Sequence, residues 1–222
     1  NYYRALEKYP DGVKGIGATP EGLETCPILY DLLFELPWMK REEGKDWVDR
    51  YSQARYGVKS EAMERGWHLL TQSVLNCPNP SQDVEAVICA RPALDVRRVS
   101  GWGTCQIFHD IRMVRKAAEQ MLRERERLQG NPNYEHDITD VVRQTLTDST
   151  YYLLKDLAAS YKSGKMETFR KQYTTFLGMV ADVDCLVSQI DLFKLDRWTS
   201  SARSICDEVE GTTEADRDWM EW

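Results

Sequence analysis

Apolar residues return at intervals of three or four positions over most of this chain. In the longest such stretch, residues 137–162, they form one stripe of an amphipathic helix, and Gly164 follows as a stop signal. The same period predicts further helices over residues 46–56, 60–76, 110–127, 165–180, 182–190 and 196–210. Proline and glycine interrupt residues 77–106, which are predicted to be irregular. The pattern therefore predicts a mainly all-α fold in which the helices form a bundle.

A different pattern precedes the helices. The apolar run Val13–Ala18 is short, contains Gly15 and Gly17, and predicts a buried strand. A helix start is predicted next, because Thr19 is a good N-cap and the proline after it suits the first helical position. This helix is predicted to end at Pro37. Since a lone strand cannot satisfy its own backbone, its partner strands are expected in an N-terminal part of a longer polypeptide.

Glu21 is the candidate catalytic residue of this sequence. It follows the predicted strand in a loop flanked by glycines, which is where parallel α/β barrels place their catalytic groups. The start of the next helix would keep its carboxylate ionised, and an ionised carboxylate suits a nucleophile better than a general acid. The ordinary interpretation is that an acidic residue here only complements the helix dipole. Local chemistry leaves both interpretations open.

The overall composition excludes some classes of partner. The chain has 222 residues, of which 42% are hydrophobic and 29% are charged, as in ordinary globular domains. Its formal net charge of −7 and pI near 5.1 do not suit binding to phosphate backbones or anionic lipids. No apolar run reaches the roughly 18 residues that a membrane span needs. We therefore expect neither a nucleic-acid partner nor a membrane span.

No metal or cofactor site is predicted. The six cysteines are widely spaced and form no C-x-x-C motif, which disfavours a zinc site, and they are expected to be buried free thiols. Cys77 and Cys89 flank a polar loop and are the pair best suited to a disulfide in an oxidising compartment. The three histidines, His68, His109 and His136, lack the spacing of metal ligands, and His68 is predicted to be structural.

Trp102 lies in a glycine-rich stretch, Ser100–Thr104. An aromatic residue in such a loop can be a stacking platform for a sugar ring. It can also be an anchor that packs the loop against a helical bundle, and we favour this second interpretation. No arrangement of Ser, His and Asp or of Cys and His can be argued from the spacing. The sequence therefore assigns no substrate-binding residue.

Several blocks of sequence together resemble one known family. The most specific are Gly15–Glu24, which contains a Pro-Glu-Gly motif, and Arg55–Val58, which reads Arg-Tyr-Gly-Val. Further blocks follow in order, namely Pro27–Trp38, Trp47–Val48, Trp67–Leu70, Ser73–Cys77, Arg91–Leu94, Asp137–Gln144 and Tyr151–Tyr152. In this order the blocks resemble the α-N-acetylglucosaminidases of glycoside hydrolase family 89, and the resemblance covers essentially the whole chain.

The resemblance implies an activity and a nucleophile. The family removes terminal α-linked N-acetylglucosamine from glycans or glycosaminoglycans with retention, which uses two carboxyl groups about 5–5.5 Å apart. The glutamate of its Pro-Glu-Gly motif is the nucleophile and corresponds to Glu21. Its acid/base lies on an earlier strand of a (β/α)8-type catalytic barrel, and an aromatic segment expected after Trp222 lines the sugar pocket. Since this sequence contains neither, the chain alone is predicted to be inactive.

The resemblance also implies a division into domains. Residues 1–26 would be the C-terminal remnant of the barrel, and residues 27–222 a truncated α-helical C-terminal domain whose partner is the missing barrel. The chain has no N-x-S/T glycosylation sequon, which favours a bacterial exported protein over a lysosomal one. Two other classes of function stay open, a non-catalytic helical scaffold and a carbohydrate-binding module.

Overall fold

The computed structural model describes residues 2–19, 26–40, 44, 46–77 and 84–222. These ranges contain nine α-helices, which are α1 (Tyr2–Lys8), α2 (Pro27–Glu35), α3 (Trp47–Tyr56), α4 (Glu61–Thr71), α5 (Ile111–Met121), α6 (Pro132–Lys162), α7 (Met166–Val187), α8 (Leu195–Ile205) and α9 (Glu214–Glu221). The described residues form no β-sheet, and an isolated bridge pairs Val84 with Thr104. The predicted all-α fold is confirmed.

Several helix ends follow capping residues in the sequence. α3 ends at Gly57, whose φ of 72° lies in the left-handed region that favours glycine. α4 begins after Ser60, whose hydroxyl accepts a hydrogen bond from the backbone N–H of Met63 at 3.2 Å. α9 begins after Thr213, which forms a reciprocal capping box with Asp216. Each of these ends can be predicted because a capping residue forms hydrogen bonds with groups only a few positions away in the sequence.

The start of α6 differs from the predicted one. The helix begins at Pro132 instead of residue 137. The Asn131 side chain caps it by accepting hydrogen bonds from the backbone N–H groups of Asn133 at 3.1 Å and Tyr134 at 3.2 Å. Proline at the first helical position has no N–H that would need a partner. Asn131 followed by Pro132 is therefore a strong signal for the start of a helix.

α4 is shorter than predicted and α7 is longer. α4 stops at Thr71, and a 3-10 turn, Val74–Asn76, follows it. The Ser73 hydroxyl donates to the Leu69 carbonyl at 2.8 Å, and such bonds compete with the helical ladder. α7 is one helix of 22 residues where two were predicted. No proline interrupts it, and Gly178 inside it costs only about 1 kcal/mol relative to alanine.

The predicted strand Val13–Ala18 does not form. Residues 13–19 have no regular secondary structure, and all their side chains except those of Val13 and Ile16 are exposed. A strand needs a neighbouring strand to satisfy its backbone, and the described residues supply none beside this segment. The prediction of a buried strand is therefore wrong for this chain.

Contacts within the chain divide it into two compact units. The first contains Asn1–Cys77 and Arg112–Tyr134. At its core lie Met63 of α4 and Val114 and Met121 of α5, none of which has exposed surface. These three side chains belong to the apolar stripes that predict the two helices, so the helical period identifies the core of this unit.

The second unit contains Pro78–Ile111 and Glu135–Trp222. Its helices α8 and α9 are joined by Arg203, whose guanidinium donates to the carboxylates of Asp218 at 2.7 Å and Glu221 at 2.8 Å. These bonds hold the pKa of Arg203 above its ordinary value. A single surface ion pair contributes little to stability, but several carboxylates around one guanidinium form a network. The predicted boundary between a barrel remnant and a helical domain stays a prediction.

The helices and the cysteines bear on the expectations about a membrane span, a disulfide and buried thiols. No helix in the described ranges is both long enough and apolar enough to cross a bilayer. Cys77 and Cys89 are free thiols, so no disulfide joins them. Cys105 and Cys206 are buried as expected, whereas Cys89 and Cys185 are exposed. The expectation of buried thiols therefore holds for only part of the set.

Gly66 of α4 packs closely against α5, and its replacement by alanine tests this packing. A Cβ at this position would lie 2.6 Å from Cγ and 2.9 Å from Cε of Met121, which is fully buried. We expect Gly66→Ala to lower the free energy of unfolding by about 1–3 kcal/mol, because overpacking outweighs the gain in helix propensity. Gly178→Ala in α7 is the matched control, since its Cβ would meet nothing within 4 Å. Urea unfolding measures both, and equal stabilities would contradict the packing.

Candidate functional site

The predicted nucleophile, Glu21, lies outside the described residues, as does the rest of 20–25. The described chain reaches Thr19 on one side and resumes at Cys26 on the other. Pro27 then occupies the first turn of α2, where its fixed φ suits a helix start. The assignment of Glu21 therefore depends on the sequence, and its role stays a prediction.

The segment that leads to Glu21 is open to its surroundings. A Cβ added at Gly15 or at Gly17 would meet nothing within 4 Å. Lys14 and Ala18 are exposed as well. Backbone that carries no side chain can be approached closely by another chain segment or by a ligand. The accessible backbone thus lies in the block for which the resemblance implies the catalytic residue.

A polar cavity of about 310 Å³ lies in the first unit, between α2 and α3. Its lining combines two carboxylates, two guanidiniums, an indole and an amide, from Asp31, Glu35, Arg50, Arg55, Trp47 and Asn133. The Trp47 indole N–H donates to Glu35 at 2.6 Å, and this charge-assisted bond ties α3 to α2. Because positive and negative groups balance within the lining, the cavity is better explained as a structural polar contact than as a ligand site.

Blocks that carry the resemblance meet in one aromatic core. The indole N–H of Trp67 donates to the hydroxyl of Tyr56 at 2.9 Å. The Trp67 ring also packs edge-on against Tyr51, with centroids 5.3 Å apart, and Tyr51 stacks on Trp47 at the same distance. All four side chains are less than a tenth exposed. Three of these four residues belong to blocks that carry the resemblance, and Trp47 also bonds to Glu35 of α2, the helix that follows Glu21 in the sequence.

A buried His–Asp pair lies in the second unit, and its spacing in the sequence gives no sign of it. His109 Nε2 lies 2.7 Å from Asp148 Oδ2, across 39 positions of sequence. The two side chains are 6% and 5% exposed. The Gln144 side chain donates to the other oxygen of Asp148 at 2.8 Å. The cluster joins the segment before α5 to α6, and its burial marks it as structural.

His68 forms a comparable pair at the surface of the first unit. Its Nε2 lies 2.7 Å from Asp49 Oδ1, and the two side chains are 40% and 44% exposed. The pair connects α3 to α4. The predicted structural role of His68 is in keeping with this position.

Trp102 is 71% exposed, so its interpretation as an anchor packed on the bundle is wrong. Its loop is held instead by Glu85, whose carboxylate accepts hydrogen bonds from the backbone N–H groups of Val99 at 2.5 Å and Ser100 at 2.7 Å. The Ser100 hydroxyl and these N–H groups hold the pKa of Glu85 below its ordinary value. A Cβ at Gly103 would overlap the Glu85 carboxylate, so a larger residue here would displace this carboxylate from its hydrogen bonds to the loop.

The described residues show no metal-binding arrangement. In these parts of the chain, no three side chains of His, Cys, Asp or Glu are grouped so that they could hold a metal ion. Burial raises the pKa of the Cys105 thiol above its ordinary value, which makes it a poor nucleophile and a poor ligand.

Comparison with known proteins identifies relatives of this chain. The family described as "Alpha-N-acetylglucosaminidase (NAGLU) C-terminal domain" matches residues 47–222. The human alpha-N-acetylglucosaminidase is 24% identical over 220 aligned residues, which cover 93% of this chain and 27% of the human protein. The chain thus spans about a quarter of the length of the relative that it matches.

Solved structures show the same fold. A GH89 protein from Clostridium perfringens, with two glutamates replaced by glutamine and in complex with its substrate GlcNAc-alpha-1,4-galactose, superposes with a TM-score of 0.86 at 24% identity. A family 89 glycoside hydrolase from the same organism, in complex with 2-acetamido-1,2-dideoxynojirmycin, superposes with a TM-score of 0.88. Each match covers 98% of this chain and 24% of the other chain. Because the family match extends over well more than half of the sequence, this chain belongs to the family of alpha-N-acetylglucosaminidase C-terminal domains.

Proposed function

We propose that this chain is part of a retaining exo-α-N-acetylglucosaminidase that removes terminal α-linked N-acetylglucosamine from glycans. The family match over residues 47–222 is the observation that carries the proposal. A Pro-Glu-Gly motif precedes the matched region and supplies the carboxylate that such an enzyme needs. No residue of the described helical region has to take part in the chemistry.

Glu21 is the nucleophile in this proposal. Its carboxylate attacks the anomeric carbon while a second carboxyl group protonates the leaving oxygen, and a covalent glycosyl-enzyme forms with inversion. The second group then takes a proton from water, which displaces Glu21 with a further inversion, so that the overall configuration is retained. The second carboxyl group comes from the catalytic barrel of the same polypeptide.

The relatives support both the substrate and the use of two carboxyl groups. The Clostridium perfringens protein with two glutamates replaced by glutamine is described with its substrate, GlcNAc-alpha-1,4-galactose. Two replaced glutamates in a protein that is described with its substrate are in keeping with a reaction that uses two carboxyl groups. The second structure holds an iminosugar with an acetamido group, which resembles N-acetylglucosamine. By extension, we expect this protein to bind a terminal N-acetylglucosamine residue.

The helical region has a supporting part in this proposal. The segment before Glu21 exposes backbone at Gly15 and Gly17, and a parallel barrel would provide the neighbouring strand that this segment lacks. The Trp47–Glu35 bond ties α2 to α3, and α3 packs on α4 through the aromatic core. In this way the helices buttress the barrel and form a wall beside its pocket.

The stereochemistry of the first product tests the proposal. The full-length protein is given an aryl α-N-acetylglucosaminide, and proton NMR follows the anomer of N-acetylglucosamine that forms before mutarotation. We expect the α anomer, because two displacements restore the starting configuration. The β anomer would show a single displacement by water and would contradict a nucleophilic Glu21.

The 222-residue chain by itself is expected to have no detectable glycosidase activity. It carries the proposed nucleophile without a second carboxyl group from the barrel. An enzyme whose catalytic residues act as a unit loses nearly all activity when one of them is missing. The chain is assayed on the same aryl glycoside beside an equal molar amount of the full-length protein, after circular dichroism has confirmed its helices. Turnover that disappears on Glu21→Ala would contradict the need for the barrel.

A further inference from the structure

An apolar cavity of about 460 Å³ lies within the second unit. Its walls come from α6, from α7 and from the segment 87–96, all of which belong to that unit. A cavity of this volume is in the range of sites for small molecules. The lining residues of α7 form one stripe of that helix, namely Phe169, Tyr173, Phe176, Leu177 and Val180.

The cavity combines a buried inner part with an open mouth. Among its lining residues, Val87 and Leu157 are buried, whereas Tyr173 and Leu177 are each 48% exposed. The Phe169 ring stacks on the Tyr173 ring, with centroids 6.1 Å apart and an interplanar angle of 19°, so the two rings form one wall. A flexible apolar chain can therefore enter from solvent, and its apolar surface and that of the lining are then removed from water.

Of the described residues that line the cavity, Arg91 alone is charged. No hydrogen bond or ion pair joins its guanidinium to any other residue in the described ranges. The nearest carboxylate in the sequence, that of Asp95, accepts a hydrogen bond from Arg97 at 3.0 Å. The N–H donors of Arg91 are thus available to an anion beside an apolar lining.

We propose that this cavity binds a fatty acid, with the alkyl chain against the apolar lining and the carboxylate at Arg91. Methylene groups suit a lining without other charged groups, because their burial needs no hydrogen-bond partner. The planar guanidinium matches the two oxygens of a carboxylate, and its single positive charge balances the single negative charge of the ligand. A phosphate monoester carries more negative charge than one guanidinium balances.

Another occupant of an apolar cavity is a protein segment, here one from the catalytic barrel. The guanidinium that the described residues leave available favours a ligand with an anionic group. A barrel segment in the cavity would exclude a fatty acid from the full-length protein, so an experiment with that protein decides between the two. The site shares no residue with the Pro-Glu-Gly motif and does not rest on the proposed function.

Calorimetric titration of the full-length protein tests the site with decanoate, hexanoate and 1-decanol. The titration is done at about 0.15 M salt, where charges more than about 8 Å apart are largely screened and the net charge of −7 repels an anion little. Decanoate should bind at least about tenfold more tightly than 1-decanol, which lacks the charge that Arg91 binds. It should bind at least about thirtyfold more tightly than hexanoate, whose shorter chain buries less apolar surface.

Two variants assign the binding to this cavity. Arg91→Ala should raise the Kd of decanoate by about tenfold and leave the Kd of 1-decanol unchanged, because only the partner of the carboxylate is lost. Leu177→Asp should raise the Kd of both ligands by about tenfold, because it places a charge where the alkyl chain enters. Circular dichroism checks that both variants keep their helices.

Matched variants outside the cavity show whether these effects are specific. Arg65→Ala removes an exposed arginine from α4, and Leu195→Asp adds the same charge at an apolar residue of α8 that is 75% exposed. Both should leave the Kd of decanoate unchanged. Equal losses in these controls, tighter binding of 1-decanol, equal binding of hexanoate, or no binding of decanoate to the full-length protein would each overturn the proposal.

Discussion

Replacement of Glu21 by alanine in the full-length protein is expected to lower kcat/KM for an aryl α-N-acetylglucosaminide by roughly 10⁴-fold or more. The expectation follows from the double-displacement mechanism, in which no other group can form the covalent intermediate. The melting temperature should change little, because a catalytic carboxylate serves the reaction and not the packing. The matched control is Glu24→Ala, which removes a second glutamate from the same segment and should leave activity within about threefold.

Added azide distinguishes a lost nucleophile from a lost acid/base. In Glu21→Ala a small anion can enter the space of the missing carboxylate and displace the aryl group in one step. One displacement inverts the configuration, so the expected product is the β-glycosyl azide. An α-glycosyl azide would instead show that the covalent intermediate still forms and that Glu21 is the acid/base. Activity within tenfold of the unaltered protein would show that Glu21 has neither role.

The helices could be predicted because their signals are local. The apolar stripe of α5 identifies Val114 and Met121 as core, and both are fully buried. Gly57 ends α3 and Ser60 begins α4, and each does so through hydrogen bonds to residues at most four positions away. Even the early start of α6 has a local cause, the Asn131 cap, although the apolar period that predicts the helix begins only after it.

Local signals of this kind do not decide whether residues 13–18 form a strand. An apolar run with glycines predicts the side chains that a strand needs, but a strand forms only when a second strand pairs with it. That partner is non-local, and the described residues do not include one. The prediction of a strand over Val13–Ala18 is therefore wrong because its partner strand cannot be found from the sequence of this segment.

The polar clusters were missed for a similar reason. His109 and Asp148 are 39 positions apart, and Glu85 lies 14 positions from Val99, so only the fold brings these groups together. The interpretation of Trp102 as a loop anchor on the bundle is wrong because the residue is exposed, and its loop is held by hydrogen bonds to Glu85. The prediction that Glu21 is the nucleophile rests on a resemblance, since the local chemistry of this residue also fits a helix start.

His109→Ala is expected to lower the free energy of unfolding by about 3–5 kcal/mol, the largest effect on stability that we predict. The substitution leaves the Asp148 carboxylate in an environment where its side chain is only 5% exposed. Gln144 still donates to one of its oxygens, but the other loses the imidazole at 2.7 Å. A buried charge that loses its partner keeps its full desolvation penalty, which is why breaking such a pair costs more than the pair contributes.

His68→Ala provides the matched control for this prediction. Its imidazole also lies 2.7 Å from a carboxylate, that of Asp49, but the two side chains are 40% and 44% exposed. Water can solvate Asp49 once the imidazole is gone, so the cost should be at most about 1 kcal/mol. Urea unfolding followed by circular dichroism compares the two variants at neutral pH. Because chemistry and distance are the same in both pairs, a similar loss of stability in the two variants would mean that burial is not what makes the His109–Asp148 pair important.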